Sequence, residues 1–220
     1  WSTYAFESAQ RILCSYTQCG AWRLATLDTT SLQLTEIPTP YAQIVNPCAA
    51  PGRALFLAAS PTEGLALVLL DLATHQCEVL RRGSAVVVDP AYLSIPREVE
   101  FPTEGGLAAY GYFYPPHNAD FTAPPGEKPP LLVMSHGGPT GAAVSMLNLS
   151  IQYWTSRGIA VLDVNYGGST GYGRAYRQRL HGQWGVVDVD DCINGARFLV
   201  ERGEVDGNRL MITGGSAGGY

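Results

Sequence analysis

The amino-acid sequence predicts two structural classes in succession, an all-β first part and an α/β second part. Three observations support this prediction: apolar strands that echo one another at a 43-residue spacing, a proline-rich bridge, and then strands that alternate with helices. A chain of 220 residues can form one or two domains with a sizeable core. We expect one domain over residues 1–90 and a second over residues 91–220.

The first 90 residues contain short apolar and β-branched runs separated by turn residues, which is typical of β-strands. The pair Leu27-Asp28 recurs as Leu70-Asp71, and a Thr-containing turn and another short strand follow each pair. A period of about 40–45 residues with several strands per repeat is typical of β-propeller blades. We therefore interpret this part as the C-terminal blades of a propeller, with further blades expected upstream. A piece of a β-sandwich is the alternative.

Residues 91–130 form a proline-rich bridge between the two classes. Within it, Glu98–Phe101 and Leu107–Tyr114 are strand-like, and the glycine-containing turn between them predicts a hairpin. The stretch Pro115–Pro130 predicts an extended surface loop, because repeated proline disfavours helices and central strands.

The remainder of the chain alternates between strand and helix patterns. The predicted elements are a strand at Leu131–Met134, a helix at Ala142–Arg157, a strand at Ile159–Leu162, a helix at Asp188–Glu201 and a buried strand at Leu210–Ile212. The second helix is expected to bury one face, which consists of Val189, Cys192, Ile193, Ala196, Leu199 and Val200. This order implies a parallel sheet with crossover helices. Ligands bind such sheets beyond the carboxyl ends of the strands, where His136, Asn165 and Ser216 fall.

The last predicted strand leads into Gly214-Gly-Ser-Ala-Gly218, a match to G-x-S-x-G. In a nucleophile elbow, the serine lies on a tight strand-to-helix turn with strained dihedral angles. Ser216 is therefore the candidate nucleophile, and the flanking Gly214 and Gly218 have no Cβ to obstruct the turn. The motif alone is a weak signal, and an ordinary glycine-rich loop is the alternative.

A second glycine-rich stretch, His136-Gly-Gly-Pro139, follows the first strand of the α/β part. Acyl transfer to a serine requires N–H groups directed at the oxyanion of the tetrahedral intermediate. One such N–H belongs to the residue after the nucleophile, which is Ala217 here, and the other to a loop of this kind. We assign the second N–H to Gly138.

Residues 131–220 resemble the catalytic domain of the prolyl oligopeptidase family, nearest to its acylaminoacyl-peptidase and dipeptidyl peptidase branch. The matching stretches are His136–Pro139, Asn165–Gly173, Gly182–Asp191 and Gly214–Tyr220. The resemblance implies an α/β-hydrolase fold preceded by a β-propeller, and a serine peptidase that acts on short peptides. The family often has Arg where this chain has Gly167, and a bulky residue where it has Ala217. These departures leave subfamily and substrate preference open and remove no catalytic group.

The general base that a serine hydroxyl needs is expected elsewhere. In α/β-hydrolases the chain order is Ser, then Asp or Glu, then His, so both partners are expected after Tyr220. His136 lies on the predicted oxyanion loop, a position that similar enzymes use structurally, so we expect it not to be the base. We expect His75, His117 and His181 in surface or packing positions.

Two further groups of side chains are candidate binding residues. Tyr166 and Tyr172 either line the substrate cleft or pack within the domain, and the sequence leaves both open. The aspartates of Asp188–Asp191 are expected to complement the dipole at the start of a helix rather than to bind metal. No cysteine–histidine ligand pattern occurs either. We therefore expect neither a metal nor a cofactor.

Composition limits the classes of partner and the cellular compartment that we expect. The formal net charge is −5 without a Lys/Arg cluster, so we expect no nucleic-acid partner. No run of 18 apolar residues appears, so we expect no membrane span, and we see no leader peptide. An odd number of scattered cysteines, five, favours a reducing compartment, which we take to be the cytoplasm. The sequence leaves open whether the protein forms a homo-oligomer.

The sequence therefore favours a serine peptidase that hydrolyses short peptides through an acyl-enzyme on Ser216. A carboxylesterase of the same fold is the first alternative. A non-catalytic fragment or interaction module is the second, because the chain itself supplies neither the base nor the residue that orients it.

Overall fold

The computed structural model describes residues 2–219. The chain divides into two compact units. The first runs to Val87 and includes the short segment Val144–Leu147, and the second comprises Val88–Ala143 and the residues from Asn148 onward.

The first unit consists of two four-stranded antiparallel sheets, in each of which the strands follow chain order. One sheet contains β1 (Tyr4–Phe6), β2 (Arg11–Gln18), β3 (Ala21–Asp28) and β4 (Leu34–Ile37). The other contains β5 (Gln43–Ala50), β6 (Arg53–Ala59), β7 (Ala66–Asp71) and β8 (Cys77–Arg82). Alternate residues of the central strands point into a shared core that includes Leu13, Leu24, Phe56 and Val68. Two meanders of this kind are consistent with propeller blades.

The sequence echo corresponds to one turn that is built twice. Asp28 Oδ1 accepts the N–H groups of the residues two and three positions later, at 2.9 and 2.7 Å. Asp71 Oδ1 accepts the equivalent N–H groups at 2.9 and 2.8 Å. The fourth residue after each aspartate, Leu32 or His75, has a φ of 58°. The 43-residue spacing is therefore structural, because the same side-chain hydrogen bonds close both hairpins.

These hydrogen bonds hold the pKa of the Asp28 and Asp71 carboxyls below the ordinary value. A lowered pKa in the folded state stabilises the fold above the ordinary carboxyl pKa of about 3.9. The contribution disappears as the pH falls through the lowered value. We therefore expect Asp71→Asn to lower the denaturation midpoint at pH 7, and the difference from wild type to narrow progressively below about pH 4.

Urea denaturation of the intact protein across this pH range measures the effect. Glu78→Gln is the matched control, since it removes a negative charge from an exposed position of the same hairpin. Equal losses in the two variants, or a gap for Asp71→Asn that stays constant in acid, would contradict the prediction.

The second unit is built on one five-stranded mixed sheet in the order β13-β11-β12-β10-β9. Its strands are β9 (Arg97–Thr103), β10 (Leu107–Tyr114), β11 (Leu131–Ser135), β12 (Ala160–Asn165) and β13 (Leu210–Gly214). Its helices are α1 (Leu149–Thr155), α2 (Arg174–Gln178) and α3 (Val187–Glu201), and short 3₁₀ turns occur at Pro90–Tyr92, Glu104–Gly106 and Ser216–Gly219. Strands β11, β12 and β13 are parallel, and β9 and β10 form the hairpin that the sequence predicted.

The first helix of this unit begins later than the sequence predicted. Residues from Ala142 were expected to be helical, but α1 starts after Asn148, whose side chain accepts the N–H of Ser150 at 2.9 Å. The preceding segment is held in other ways, since Ala143 is hydrogen-bonded to the Asn165 side chain through both its N–H and its carbonyl. Tertiary hydrogen bonds therefore override the helical spacing of the apolar residues.

The buried face of α3 also differs from the prediction. Val189 and Ile193 are each 43% exposed, whereas Asp188 and Asp191 are buried. Gly195 lies so close to the sheet that a Cβ atom there would be 2.8 Å from Leu162 Cδ2. The helix is therefore rotated relative to the apolar face inferred from the sequence, and its inner face contains carboxylates with hydrogen-bond partners.

The apolar strand β13 suggested burial, and within residues 2–219 it is exposed. Ile212 has 66% of its surface accessible, and Leu210 and Met211 more than 40% each. Its only pairing in the described residues is with β11, so it forms one edge of the sheet. None of the described helices is long and apolar enough to cross a membrane.

Candidate active site

The candidate nucleophile Ser216 lies where β13 ends and a 3₁₀ turn begins. Its φ of 55° is in the left-handed region, which residues with a Cβ rarely adopt. The residue is exposed. A serine held in a strained conformation on an accessible strand-to-helix turn is the geometry of a nucleophile elbow.

The elbow requires glycine at two positions. A Cβ atom on Gly214 would overlap the carbonyl of Gly218, and a Cβ atom on Gly218 would overlap the carbonyl of Ser135. Both obstacles are main-chain atoms that cannot rotate away as the end of a side chain can. Gly215, between them, has open space around it.

The loop after β11 lies directly beside the serine. A Cβ atom on Gly137 would be 3.1 Å from Ser216 Cβ and 3.7 Å from Ser216 Oγ. Within residues 2–219, neither the N–H of Gly138 nor that of Ala217 has a hydrogen-bond acceptor. Two free donors therefore occur on the two segments that meet at Ser216, as an oxyanion site requires. Their catalytic role stays a prediction.

His136 is fully engaged within the protein. Its Nδ1 lies 2.9 Å from the Gly137 carbonyl, and its Nε2 lies 2.7 Å from the Ser169 hydroxyl. Burial lowers the pKa of this imidazole, so the neutral form is favoured at pH 7. With both ring nitrogens occupied, His136 is unsuited to act as the base for Ser216. Within residues 2–219, no hydrogen bond joins the Ser216 hydroxyl to a histidine.

Tyr166 supports the loop from the core of the unit. It is 1% exposed, and its ring stacks on the His136 ring with centroids 4.3 Å apart. Its hydroxyl lies 2.8 Å from each of the carbonyls of His136 and Pro139. Burial raises the pKa of Tyr166 to about 12, so the hydroxyl keeps its proton and donates. Of the two alternatives for this residue, burial favours packing, and a contact with substrate stays a prediction.

Tyr172 occupies a different environment. It is half-buried, and its ring stacks on Tyr110 with centroids 4.5 Å apart and planes within 9°. Its hydroxyl accepts a hydrogen bond from Asn165 Nδ2 at 3.1 Å. Burial raises the pKa of this phenol above its ordinary value. Its proposed contact with substrate stays a prediction.

Asp191 fixes the loop that follows β12. Its carboxylate accepts the Gly167 N–H at 2.6 Å and also the Thr103 hydroxyl. Burial raises the pKa of this carboxyl, and the two hydrogen bonds and the nearby Arg179 charge offset part of that rise. Asp188 instead accepts the Gly185 N–H at 2.7 Å, next to the start of α3. The expectation of helix-end roles therefore suits Asp188, but Asp191 faces inward and ties α3 to the loop.

The remaining three histidines are exposed. His75 occupies the repeated turn of the first unit, His117 lines a cavity beneath the proline-rich loop, and His181 is exposed. Among the described residues, no group of three or more His, Cys, Asp or Glu side chains could hold a metal ion.

Sequence reasoning did not predict the supporting hydrogen bonds made by four polar residues, namely Asn165, Ser169, Thr170 and Asp191. The available signal was a set of small polar residues within and just after a predicted buried strand, where unpaired polar groups are costly. Such residues need partners, and here the partners are the main-chain groups of the neighbouring loop.

The crowding at the elbow leads to a stability prediction. We expect Gly218→Ala to destabilise the intact protein by about 1–3 kcal/mol or more, because the added Cβ must displace main chain. Gly215→Ala is the matched control next to the same serine and should change stability by no more than about 0.5 kcal/mol. Chemical denaturation measures both, and equal effects of the two substitutions would show that the elbow is not crowded as described.

A model of the prolyl oligopeptidase family matches residues 145–220. The solved structure of a puromycin-hydrolysing peptidase from Mycobacterium tuberculosis is 43% identical, with a TM-score of 0.93 over 99% of this chain and 34% of that one. The acylamino-acid-releasing enzyme of Arabidopsis thaliana is 37% identical over 95 residues, which is 43% of this chain and 12% of the relative.

Dipeptidyl aminopeptidase BIII of Pseudoxanthomonas mexicana is 31% identical over 166 residues, which cover 76% of this chain and 21% of that enzyme. The chain thus spans about a third or less of the length of each of these relatives. By sequence, residues 145–220 match the prolyl oligopeptidase family, and by structure the chain is similar to peptidases of this kind.

Proposed function

We propose that this chain carries part of the catalytic domain of a serine peptidase with the α/β-hydrolase fold. The observation that carries the proposal is an exposed Ser216 on a strained turn, beside a loop whose Gly138 N–H is free. The peptidase names of its relatives support the same reaction class. We also propose two domains: propeller blades over residues 1–90, and the N-terminal part of an α/β-hydrolase catalytic domain over residues 91–220.

In this mechanism Ser216 Oγ attacks the carbonyl carbon of the scissile amide. The carbonyl π electrons move to the oxygen, and the N–H groups of Gly138 and Ala217 stabilise the resulting oxyanion. Collapse of the intermediate expels the amine and leaves an ester on Ser216, which water then hydrolyses. The serine proton passes to a base and then to the leaving amine. We assign that base and its orienting carboxylate to a histidine and an aspartate outside residues 2–219.

The proposed substrates are short peptides or aminoacyl amides. The relatives are named for release of acylamino acids, for removal of dipeptides and for hydrolysis of puromycin. We also propose a cytoplasmic location, which is supported by the five cysteines, all of them free thiols.

Covalent labelling tests the nucleophile. We expect the intact protein to react with a fluorophosphonate probe and the modified peptide to contain Ser216. Ser216→Ala should abolish labelling, because Ser216 is the only serine or threonine in residues 2–219 with a φ in the left-handed region. Ser31→Ala is a control at an exposed serine of the first unit and should label as wild type does. Labelling that survives Ser216→Ala would refute the assignment.

Substrate comparison tests the reaction class. We expect the intact protein to hydrolyse aminoacyl and dipeptidyl anilides, and Ser216→Ala to lower kcat by at least about 10⁴-fold. Anilides are needed because activated p-nitrophenyl esters react with many serine hydrolases. Turnover of esters with no turnover of anilides would favour the carboxylesterase. Absence of both would favour a non-catalytic protein.

A further inference from the structure

A large cavity lies at the edge of the sheet opposite to Ser216. Its walls include Pro130, Gly158 and Arg209, which come one or two residues before β11, β12 and β13 respectively. Its volume is about 1220 Å³, whereas sites that hold small ligands typically measure roughly 300–1,000 Å³. Strand β13 runs for roughly 16 Å between this edge and the turn that carries the serine. A small ligand in the cavity is therefore remote from the candidate nucleophile.

The proline-rich loop encloses the cavity and is anchored at both ends. At one end the His117 N–H donates to the Thr155 carbonyl at 3.1 Å. At the other end Arg209 Nη2 donates to the Lys128 carbonyl at 2.6 Å. Proline has no N–H to donate to a neighbouring strand, so the stretch between the anchors does not join the sheet. The cavity is thus formed by the fold itself, before any ligand binds.

Both carboxylates that line the cavity already have cationic partners. Glu127 Oε1 lies 3.2 Å from Arg209 Nη1. Glu204 forms ion pairs with Arg97 and Arg202. The walls therefore present no uncompensated negative charge to a ligand.

Two cations of the wall, in contrast, have no carboxylate partner within residues 2–219. Lys128 forms none of the ion pairs of the described chain. Arg157 lies over the Tyr153 ring, 3.7 Å from its centroid, and donates to the Tyr153 carbonyl at 2.9 Å. The carbonyls of Thr155 and Ser156 at the end of α1 accept hydrogen bonds from the loop. The unbalanced charge of the cavity is therefore positive.

Much of the remaining wall is apolar. The Phe121 ring is 78% exposed, although it is a large aromatic side chain. The Tyr92 hydroxyl donates to Asp120 at 2.7 Å, which fixes a second ring at the cavity. Rings and prolines of this kind favour a ligand with an apolar or aromatic group. The apolar lining residues are Pro116, Phe121, Ala123, Pro124, Pro129 and Pro130.

We propose that this cavity is a second ligand site, which binds a carboxylate carried on an apolar group. The carboxylate pairs with Lys128 and Arg157, and the apolar group packs against Phe121 and the prolines. The carboxyl terminus of a short peptide and a small free carboxylate both have this chemistry. Ser216 takes no part in the binding, so the inference goes beyond the proposed peptidase function and does not depend on it.

Calorimetry with three probes tests the site on the intact protein after a fluorophosphonate has blocked Ser216. We expect N-acetylphenylalanine to bind about 10-fold more tightly than its amide, because two exposed ion pairs form. High salt should remove most of this difference. Tighter binding of the free acid Ala-Ala-Phe would identify a peptide terminus as the ligand, and equal binding a small carboxylate. Equal affinity for acid and amide, or no binding at about 1 mM, would overturn the proposal.

A failure of the peptidase function is distinguishable from a failure of this site. If the fluorophosphonate does not react, the peptidase proposal fails, and calorimetry with the unmodified protein still tests the cavity.

Substitutions locate the bound carboxylate. Lys128→Gln and Arg157→Gln change exposed side chains, and we expect each to weaken binding of the acid about 3-fold. The double variant should bind acid and amide equally. Phe121→Ala should weaken both probes by about 3-fold or more. Arg177→Gln is the matched control, since it removes an exposed charge that does not line the cavity. Wild-type affinity for the acid in the double variant would overturn the proposal.

Chemical protection gives a readout that needs no substitution. Lys128 is the only lysine of the 220 residues, so a single peptide reports its acetylation by an amine-directed reagent. Saturating N-acetylphenylalanine should slow that acetylation about 5-fold or more, and the amide should not, because an ion-paired amine is a poorer nucleophile. An unchanged rate at saturation would place the carboxylate elsewhere and refute the assignment.

Discussion

The close approach of three main-chain segments at the carboxyl edge of the sheet is the constraint on which the site depends. Ser135, at the end of β11, faces Gly218, and Gly218 in turn faces Gly214 across the elbow. Gly137 approaches Ser216 from the neighbouring loop. Main chain faces main chain at Ser135, Gly218 and Gly214, and the Ser216 side chain lies against Gly137. The exposed serine and the free N–H groups are a consequence, because a tight turn leaves its first amides without partners.

The end of β12 and the segment after it form hydrogen bonds that hold the loops at this edge in place. Asn165, Tyr166 and Ser169 are all buried, and each uses its polar atoms on main chain or on His136. Asp191 of α3 then holds the Gly167 N–H of the same segment. An unpaired polar group at this depth would cost about 1–3 kcal/mol, so the network favours one arrangement of both loops. Helix, loop and elbow are thereby coupled.

The sequence predicted most of what depends on local pattern. The Leu-Asp echo identified a repeated hairpin turn, because the Asp28 and Asp71 side chains act on residues only two and three positions away. The elbow motif and the order of strands and helices in the second unit were likewise predicted from local sequence patterns. The start of α1 after Asn148 could not be predicted from local pattern. It depends on the hydrogen bond between Ala143 and the distant side chain of Asn165.

The inward orientation of the Asp191 side chain could not be predicted from the sequence for a similar reason. Apolar spacing assigns an aspartate to the solvent side of a helix unless its partner is known. The partner is a glycine N–H 24 residues earlier in the chain, brought close by the loop after β12.

The surroundings of Gly167 leave little room for a side chain. A Cβ atom at this position would be 2.7 Å from Val187 Cγ1 and 3.3 Å from Arg179 Cβ. Arg179 fills that space, donates to the Ala108 carbonyl at 2.7 Å and lies over the Tyr176 ring. Its charge also offsets part of the burial effect on Asp191. A cation next to this buried carboxylate is therefore supplied from the end of α2, and a side chain at position 167 would require Val187, and to a smaller extent Arg179, to move.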